Sequence, residues 1–238
     1  MAGFDPTGGA GILADIKTFE QNGCIGMAVQ TANTIQSDKE FISANWIEES
    51  TILSQLNILL SRFKFDYIKI GLTPNLNLLN LLIKSCITSN TLVKIIWDPV
   101  LSTSSGFDFK IDLKNLDSIL ENIYLITPNL EEIKILSKLE DPIEGAKRLS
   151  KKCKVLLKGG HTEVEQGKDY LFDHENKTSF KPKTIKFSEK HGTGCVLSSA
   201  ITANLAKGYP IKKSILRSKR YIEHFIESNH TLIGSHKP

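Results

Sequence analysis

The chain has 238 residues, 40% of them hydrophobic and 24% charged, with 16 Gly, 8 Pro and a formal net charge of +4. At about 150 residues per domain this length is read as one large domain spanning residues 1–238, and the balance excludes a disordered, collagen-like or coiled-coil chain. The basic excess falls short of the clustered patch of a nucleic-acid binder, so Lys207, Lys212, Lys213, Arg217, Lys219 and Arg220 are read as a solvated helical face.

In chain order, short apolar runs alternate with longer stretches of helical period. Strands are expected at 27–32, 67–71, 93–97, 123–126 and 155–158. Helices are expected at 10–21, 48–63, 76–88, 113–121, 130–138, 142–150, 193–207 and 211–227, with a hairpin of 169–173 and 178–181 around the polar tip His174–Lys177. Such alternation predicts an α/β fold: three α/β/α layers around a mostly parallel central sheet. Ligands of such sheets gather beyond the carboxyl ends of the strands, where Asp98, Thr127–Glu132 and Lys158–His161 fall.

Nothing reads as a leader or a membrane span. Met1 runs directly into Ala-Gly-Phe-Asp-Pro with no basic n-region or apolar h-region. The most apolar stretch, Leu76 to Ile87, is broken by Asn77, Asn80, Lys84 and Ser85, short of the roughly 18 apolar residues a span needs. Cys24, Cys86, Cys153 and Cys195 form no CxxC pair, which suits a reducing compartment, and a cytoplasmic location is expected.

The most informative segment is His191-Gly192-Thr193-Gly194-Cys195, which opens a helix. Inward-turned amides at a helix N-terminus make an anion hole for phosphate, and a thiol in that turn is expected to have a lowered pKa and to serve as a base. The plainer account makes Cys195 a small buried hydrophobe and the glycines a tight turn. The remaining candidates have equally plain alternatives. Asn129 and Glu132 fit a helix capping box or a pair orienting hydrated Mg²⁺; Asp98 before Pro99 is a turn or a holder of metal-bound water; Lys158 is a strand-end lysine snorkelling to water or a cation beside a transferring phosphoryl group. The segment Gly3–Gly11 matches neither a Walker A loop nor a dinucleotide fingerprint.

Taken together and in this order, these residues resemble the ribokinase-like superfamily, most closely the hydroxymethylpyrimidine/phosphomethylpyrimidine kinases of thiamin biosynthesis. The resemblance covers nearly the whole chain and rests on Ala2–Phe19, Gln30–Gln36, Lys69–Leu72, Asp98–Leu101, Thr127–Glu132, Leu157–His161 and His191–Cys195. It implies ATP-dependent phosphorylation of 4-amino-5-hydroxymethyl-2-methylpyrimidine or its monophosphate. Cys195 would take the hydroxyl proton, Gly192, Thr193 and Gly194 would stabilise the migrating phosphoryl group, and Gln36, Gly3 and Asp15 would hold the pyrimidine. Lys158, Asn129 and Thr193 would contact the nucleotide, with Asp98 and Glu132 supporting Mg²⁺. The resemblance implies a small-molecule substrate, with no nucleic acid or membrane partner, and a homodimer, the state common among relatives. The alternatives are a pyridoxal or pyridoxine kinase and a non-catalytic pyrimidine- or nucleotide-binding homologue.

Two departures from the pattern stand out. In relatives a hydrophobic strand precedes the Ala-Gly-x-Asp-Pro segment, and here Met1 directly precedes Ala2, so the first core strand is expected to be missing. In the segment Leu101–Gly106, many relatives carry a lysine before the serine-glycine pair, and this chain does not.

Overall fold

The computed structural model describes residues 1–102, 109, 111–159, 167–183 and 189–236. Residues 103–106 and the pair Gly160-His161, singled out above, lie outside the described residues. In chain order the elements are β1 (Ala2–Phe4), α1 (Gly11–Gln21), β2 (Gln30–Gln36), β3 (Phe41–Trp46), α2 (Glu49–Arg62), β4 (Tyr67–Ile70), α3 (Leu76–Ser89), β5 (Lys94–Trp97), α4 (Leu116–Leu120) and β6 (Leu125–Ile126). They continue with α5 (Leu130–Ser137), α6 (Pro142–Ser150), β7 (Lys154–Leu157), β8 (Asp169–Asp173), β9 (Asn176–Phe180), α7 (Thr193–Ala206) and α8 (Ile211–Glu227).

Strands β4, β5, β6 and β7 run parallel, and β8 and β9 add an antiparallel edge in the order β4-β5-β6-β7-β8-β9. The two-residue alternation of a strand splits the core into two layers. Ile95, Trp97, Val155 and Leu157 pack with α2 to α6 on one face, while Ile96 and Leu156 pack with α1, α7 and α8 on the other. This is the expected three-layer arrangement, and burial of each large side chain contributes about 1.5–3 kcal/mol.

A second sheet, β1-β2-β3, pairs β1 parallel and β3 antiparallel to β2. It corrects three expectations. The strand after α1 covers Gln30–Gln36 rather than starting at Met27. The unexpected β3 carries Ile42 and Trp46 on an exposed surface, so its sequence lacks a clean apolar alternation. The expectation of a missing first strand is met only in part: Ala2–Phe4 of the motif itself forms a strand paired with β2, and the Met1 amine donates to the Lys69 carbonyl (2.7 Å) while the Gly71 amide donates to the Met1 carbonyl (2.8 Å). The strand is three residues long. A mainly apolar cavity of about 130 Å³ lies beside it, lined by Met1, Val29, Leu56 and Tyr67 among others.

Lys219 is also not on a solvated face. It lies four residues after the buried Ile215, on the core side of α8, and its ammonium reaches Asp169 at 2.5 Å. The hairpin turn is shorter than expected, because β9 starts at Asn176 and His174 takes a left-handed conformation (φ 53°). Among the described residues, no helix is long and apolar enough to cross a membrane.

Candidate active site

α7 starts without any polar side-chain cap: Gly192 holds the N-cap position at φ 74°. A Cβ there would lie 2.0 Å from the Gly9 carbonyl oxygen, so only glycine lets the two loops meet backbone to backbone. The helix entrance is therefore pressed against the loop between β1 and α1. Its first amides have no intrahelical partners, and the N-cap residue supplies no side-chain bond to them.

Asp5 organises the facing loop. Its carboxylate accepts the Thr7 amide (2.9 Å) and the Ala10 amide (2.9 Å) and pairs with His191 Nε2 at 2.8 Å. Burial alone would raise the Asp5 pKa, but His191 and Thr7 hold it below the usual carboxylate range. The carboxylate thus staples the β1–α1 loop to the residue just before the α7 N-cap.

Three ionisable side chains converge at the carboxyl ends of β5 and β7. Lys158 Nζ lies 3.1 Å from Asp98 Oδ1 and 4.0 Å from Glu132 Oε2. Asp98 also accepts Thr127 Oγ1 (2.8 Å) and Ser198 Oγ of α7 (3.1 Å). A Cβ on Gly194 would stand 3.2 Å from Lys158 Nζ and 4.0 Å from Asp98 Oδ2, so the missing side chain opens the helix entrance onto this cluster. Burial opposes the charge on both partners. Lys158 and Lys69 nevertheless keep Asp98 low, and Asp98 and Glu132 keep Lys158 high. Glu132, desolvated and close to Asp98, is raised to about 7 despite Lys158.

The plainer account of Asn129 and Glu132 is realised. Asn129 Oδ1 accepts the amides of Glu131 (3.0 Å) and Glu132 (2.8 Å), and Glu132 Oε2 accepts the Asn129 amide (2.7 Å). The capping box also fixes the Glu132 carboxylate facing Lys158.

Cys195 corrects the expectation of a lowered thiol pKa. Burial is the largest influence and carries it up to about 11. Asp15 and Asp98 push the same way, against Lys69 and the Gly11 amide.

Of the expected pyrimidine-side residues, Gly3 and Gln36 lie on the paired strands β1 and β2, and Asp15 lies deeper. Gly3 and Phe4 pair with Ala32 and Asn33 of β2. Gln36 Nε2 donates to Thr34 Oγ1 at 2.8 Å, and that hydroxyl donates to the Phe4 carbonyl at 2.7 Å. Asp15 is 4% exposed; it takes Lys69 Nζ on both oxygens (2.8 and 2.9 Å) and Ser199 Oγ at 2.7 Å. Sequence reasoning missed Lys69, Thr127 and Ser198. The signal for Lys69 was available: a lysine inside the short apolar strand Tyr67–Ile70 needs a buried counter-charge.

A glycine-opened helix entrance facing a Lys–carboxylate cluster, at the strand ends of a three-layer α/β/α fold, is the architecture of the ribokinase-like small-molecule kinases. Residues 5–238 match the family model described as phosphomethylpyrimidine kinase, and the chain belongs to that family. It is 32% identical over 242 residues to a hydroxymethylpyrimidine/phosphomethylpyrimidine kinase of Aquifex aeolicus, covering 98% of this chain and 94% of that one. Among solved structures it is similar to an ADP complex of Bacillus subtilis pyridoxal kinase (TM-score 0.82, 30% identity, 95% of this chain and 89% of that one). It is also similar to phosphomethylpyrimidine kinase from Clostridium difficile (TM-score 0.73, 30% identity, 94% and 96%).

Proposed function

We propose that the chain, acting as one domain, transfers the γ-phosphoryl group of ATP to the hydroxymethyl group of 4-amino-5-hydroxymethyl-2-methylpyrimidine, or to the phosphate of its monophosphate. The observation that carries this reading is the convergence of the uncapped α7 entrance, Lys158 and Asp98 around Gly194. Amides and an ammonium aimed at one point favour charge that accumulates on a transferring phosphoryl group.

In this reading the amides of Gly192, Thr193 and Gly194 receive the phosphoryl oxygens, with Thr193 and Asn129 also on the nucleotide side, and Lys158 balances the charge that grows on them. The substrate oxygen attacks the γ-phosphorus in line, the bond to the β-phosphate oxygen breaks and ADP leaves. The hydroxyl proton passes to the Cys195 sulfur once that thiol, which is protonated at neutrality in the free enzyme, has itself lost its proton to solvent. Gln36 pairs with the aminopyrimidine edge, since an amide both donates and accepts. Gly3 lets the ring approach the backbone, and Asp15 supports the same wall from behind.

Asp98 and Glu132, two buried carboxylates facing Lys158, suit a hydrated Mg²⁺, which takes one or two carboxylates together with waters and substrate phosphates. When bound, Mg²⁺ would screen the nucleotide phosphates.

A coupled ADP-release assay with the hydroxymethylpyrimidine and with its monophosphate tests the proposal: turnover of at least one is expected, and turnover of neither rejects it. The second reading, a pyridoxal kinase, is favoured by the similarity to the Bacillus subtilis pyridoxal kinase structure. Competition between pyridoxal and the pyrimidine in the same assay separates the two.

A further inference from the structure

The segment after α8 takes no part in the reaction proposed above, yet it is bonded to the residues just before the α7 entrance. Lys190 is 8% exposed and its ammonium donates to three oxygens of this tail: the Asn229 carbonyl (2.7 Å), the Thr231 carbonyl (2.5 Å) and Asn229 Oδ1 (3.3 Å). The next residue adds a backbone bond, from the His191 amide to the Leu232 carbonyl at 2.8 Å.

The tail is itself anchored. Gly234 lies so close to Phe225 that a Cβ would stand 2.5 Å from the ring, and the His236 ring packs 4.8 Å from the same phenyl with Nδ1 2.9 Å from Tyr221 Oη. On its other side Ile233 reaches Gly9, where a Cβ would meet its Cδ1 at 2.9 Å. Both loops that form the helix entrance are therefore held against one strap, which is fixed at its far end to α8.

We infer that Lys190 is a positioning residue for phosphoryl transfer: by gathering the Asn229 and Thr231 carbonyls it fixes the height of the His191-Gly192 turn, and with it the amides of Gly192 to Cys195. The inference rests on the kinase reading. A lysine buried among carbonyl dipoles, with no carboxylate among the described residues within ion-pair distance, gives up hydration that these three contacts replace. Their loss frees the turn. Displacement of about 1 Å at a reacting centre costs up to about a hundredfold in rate.

The test uses Lys190→Met and Lys190→Arg in the full chain. In Lys190→Met, kcat is expected to fall about tenfold to a hundredfold while both KM values stay within about threefold, and Lys190→Arg should recover most of the loss. An unchanged kcat per folded molecule, with only the melting temperature lowered, overturns the inference. Should Lys190→Met fail to fold, Asn229→Ala, which removes one acceptor, must still lower kcat with KM held; an unaltered kcat there overturns it equally. If the wild-type protein turns over neither pyrimidine, the kinase reading fails on its own. The clamp is then judged by amide exchange, where faster exchange at His191 and Val196 with Ile96 unchanged supports it, and unchanged exchange at His191 and Val196 refutes it.

Discussion

Lys158 Nζ sits 3.1 Å from Asp98 Oδ1, the carboxylate buried and the lysine side chain 15% exposed, and the pair faces the entrance of α7 across the gap left by Gly194. A buried ion pair is weak evidence for stability, since desolvation offsets most of its attraction, but removal of one partner strands the other. Lys158→Met is therefore expected to abolish most phosphoryl transfer, with kcat down about 10²- to 10³-fold, and to lower stability by about 3–5 kcal/mol. Steady-state kinetics and urea unfolding check the two effects separately. Retention of near-normal kcat would remove Lys158 from the reaction.

The two glycines of the helix entrance are expected to respond differently. Alanine at Gly192 combines a positive φ of 74° with a Cβ 2.0 Å from a carbonyl oxygen, so both backbone loops must shift. Gly192→Ala should cost at least about 1–3 kcal/mol and most of the activity. At Gly194 the nearest atom is the flexible end of Lys158, 3.2 Å away. Gly194→Ala should fold with little change in melting temperature while kcat falls, because the methyl group displaces the ammonium. Equal melting temperatures for the two variants would contradict this difference.

The raised Cys195 thiol makes a pH prediction with a definite sign. With its pKa lifted to about 11, the free enzyme holds the proton at neutrality. Alkylation of Cys195 by iodoacetamide should be slow at pH 7 and accelerate about tenfold per pH unit towards pH 9, following the thiolate fraction. Peptide mapping separates it from Cys86 and Cys153, which burial lifts to about 11 and about 12. Cys195→Ala should lower kcat by about 10²- to 10⁴-fold with ATP affinity kept. Rapid alkylation at pH 7 would show that the helix entrance dominates after all.

Gln36 lies at the end of β2 with its amide resting on Thr34, a neutral contact that a ligand can replace. Gln36→Ala should raise KM for the pyrimidine by about tenfold, the size of one or two lost hydrogen bonds, with KM for ATP within about twofold. Parallel loss of both affinities would place Gln36 in general structural support.

Much of this was legible in the sequence because buried parallel strands and amphipathic helices write themselves as period. The runs at Tyr67, Val93 and Val155 and the glycines before Cys195 announced the sheet and the glycine-opened start of α7. The β2–β3 pair was not legible, because Gln30–Trp46 is half-exposed and its strands carry Asn, Thr, Gln and Ser in place of a regular apolar face. Nor was the thiol pKa, which depends on how Asp15, Asp98 and Lys69, distant in the chain, surround one sulfur. Lys219 shows the same limit: a charged position counts as surface by composition until Asp169 is brought to it by the fold.

His236 supplies the last prediction. Burial against Phe225 and Tyr221, aided by Lys17, lowers its pKa from 6.5 to about 4, and its Nε2 has no hydrogen-bond partner among the described residues. Above pH 6.5 the ring is neutral in both folded and unfolded chains and stability is independent of it. As pH falls from 6.5 to about 4 the unfolded chain binds a proton that the folded one refuses, so stability drops over that window. Glu132, raised to about 7, acts in the opposite direction: its buried neutral form is favoured, so its contribution weakens as pH rises from 4.5 to about 7. The difference between wild type and His236→Phe cancels Glu132 and isolates the histidine. Urea midpoints measured from pH 7 to pH 4.5 should fall more steeply in the wild type than in His236→Phe, and parallel curves would mean that the ring is not buried when the tail is seated.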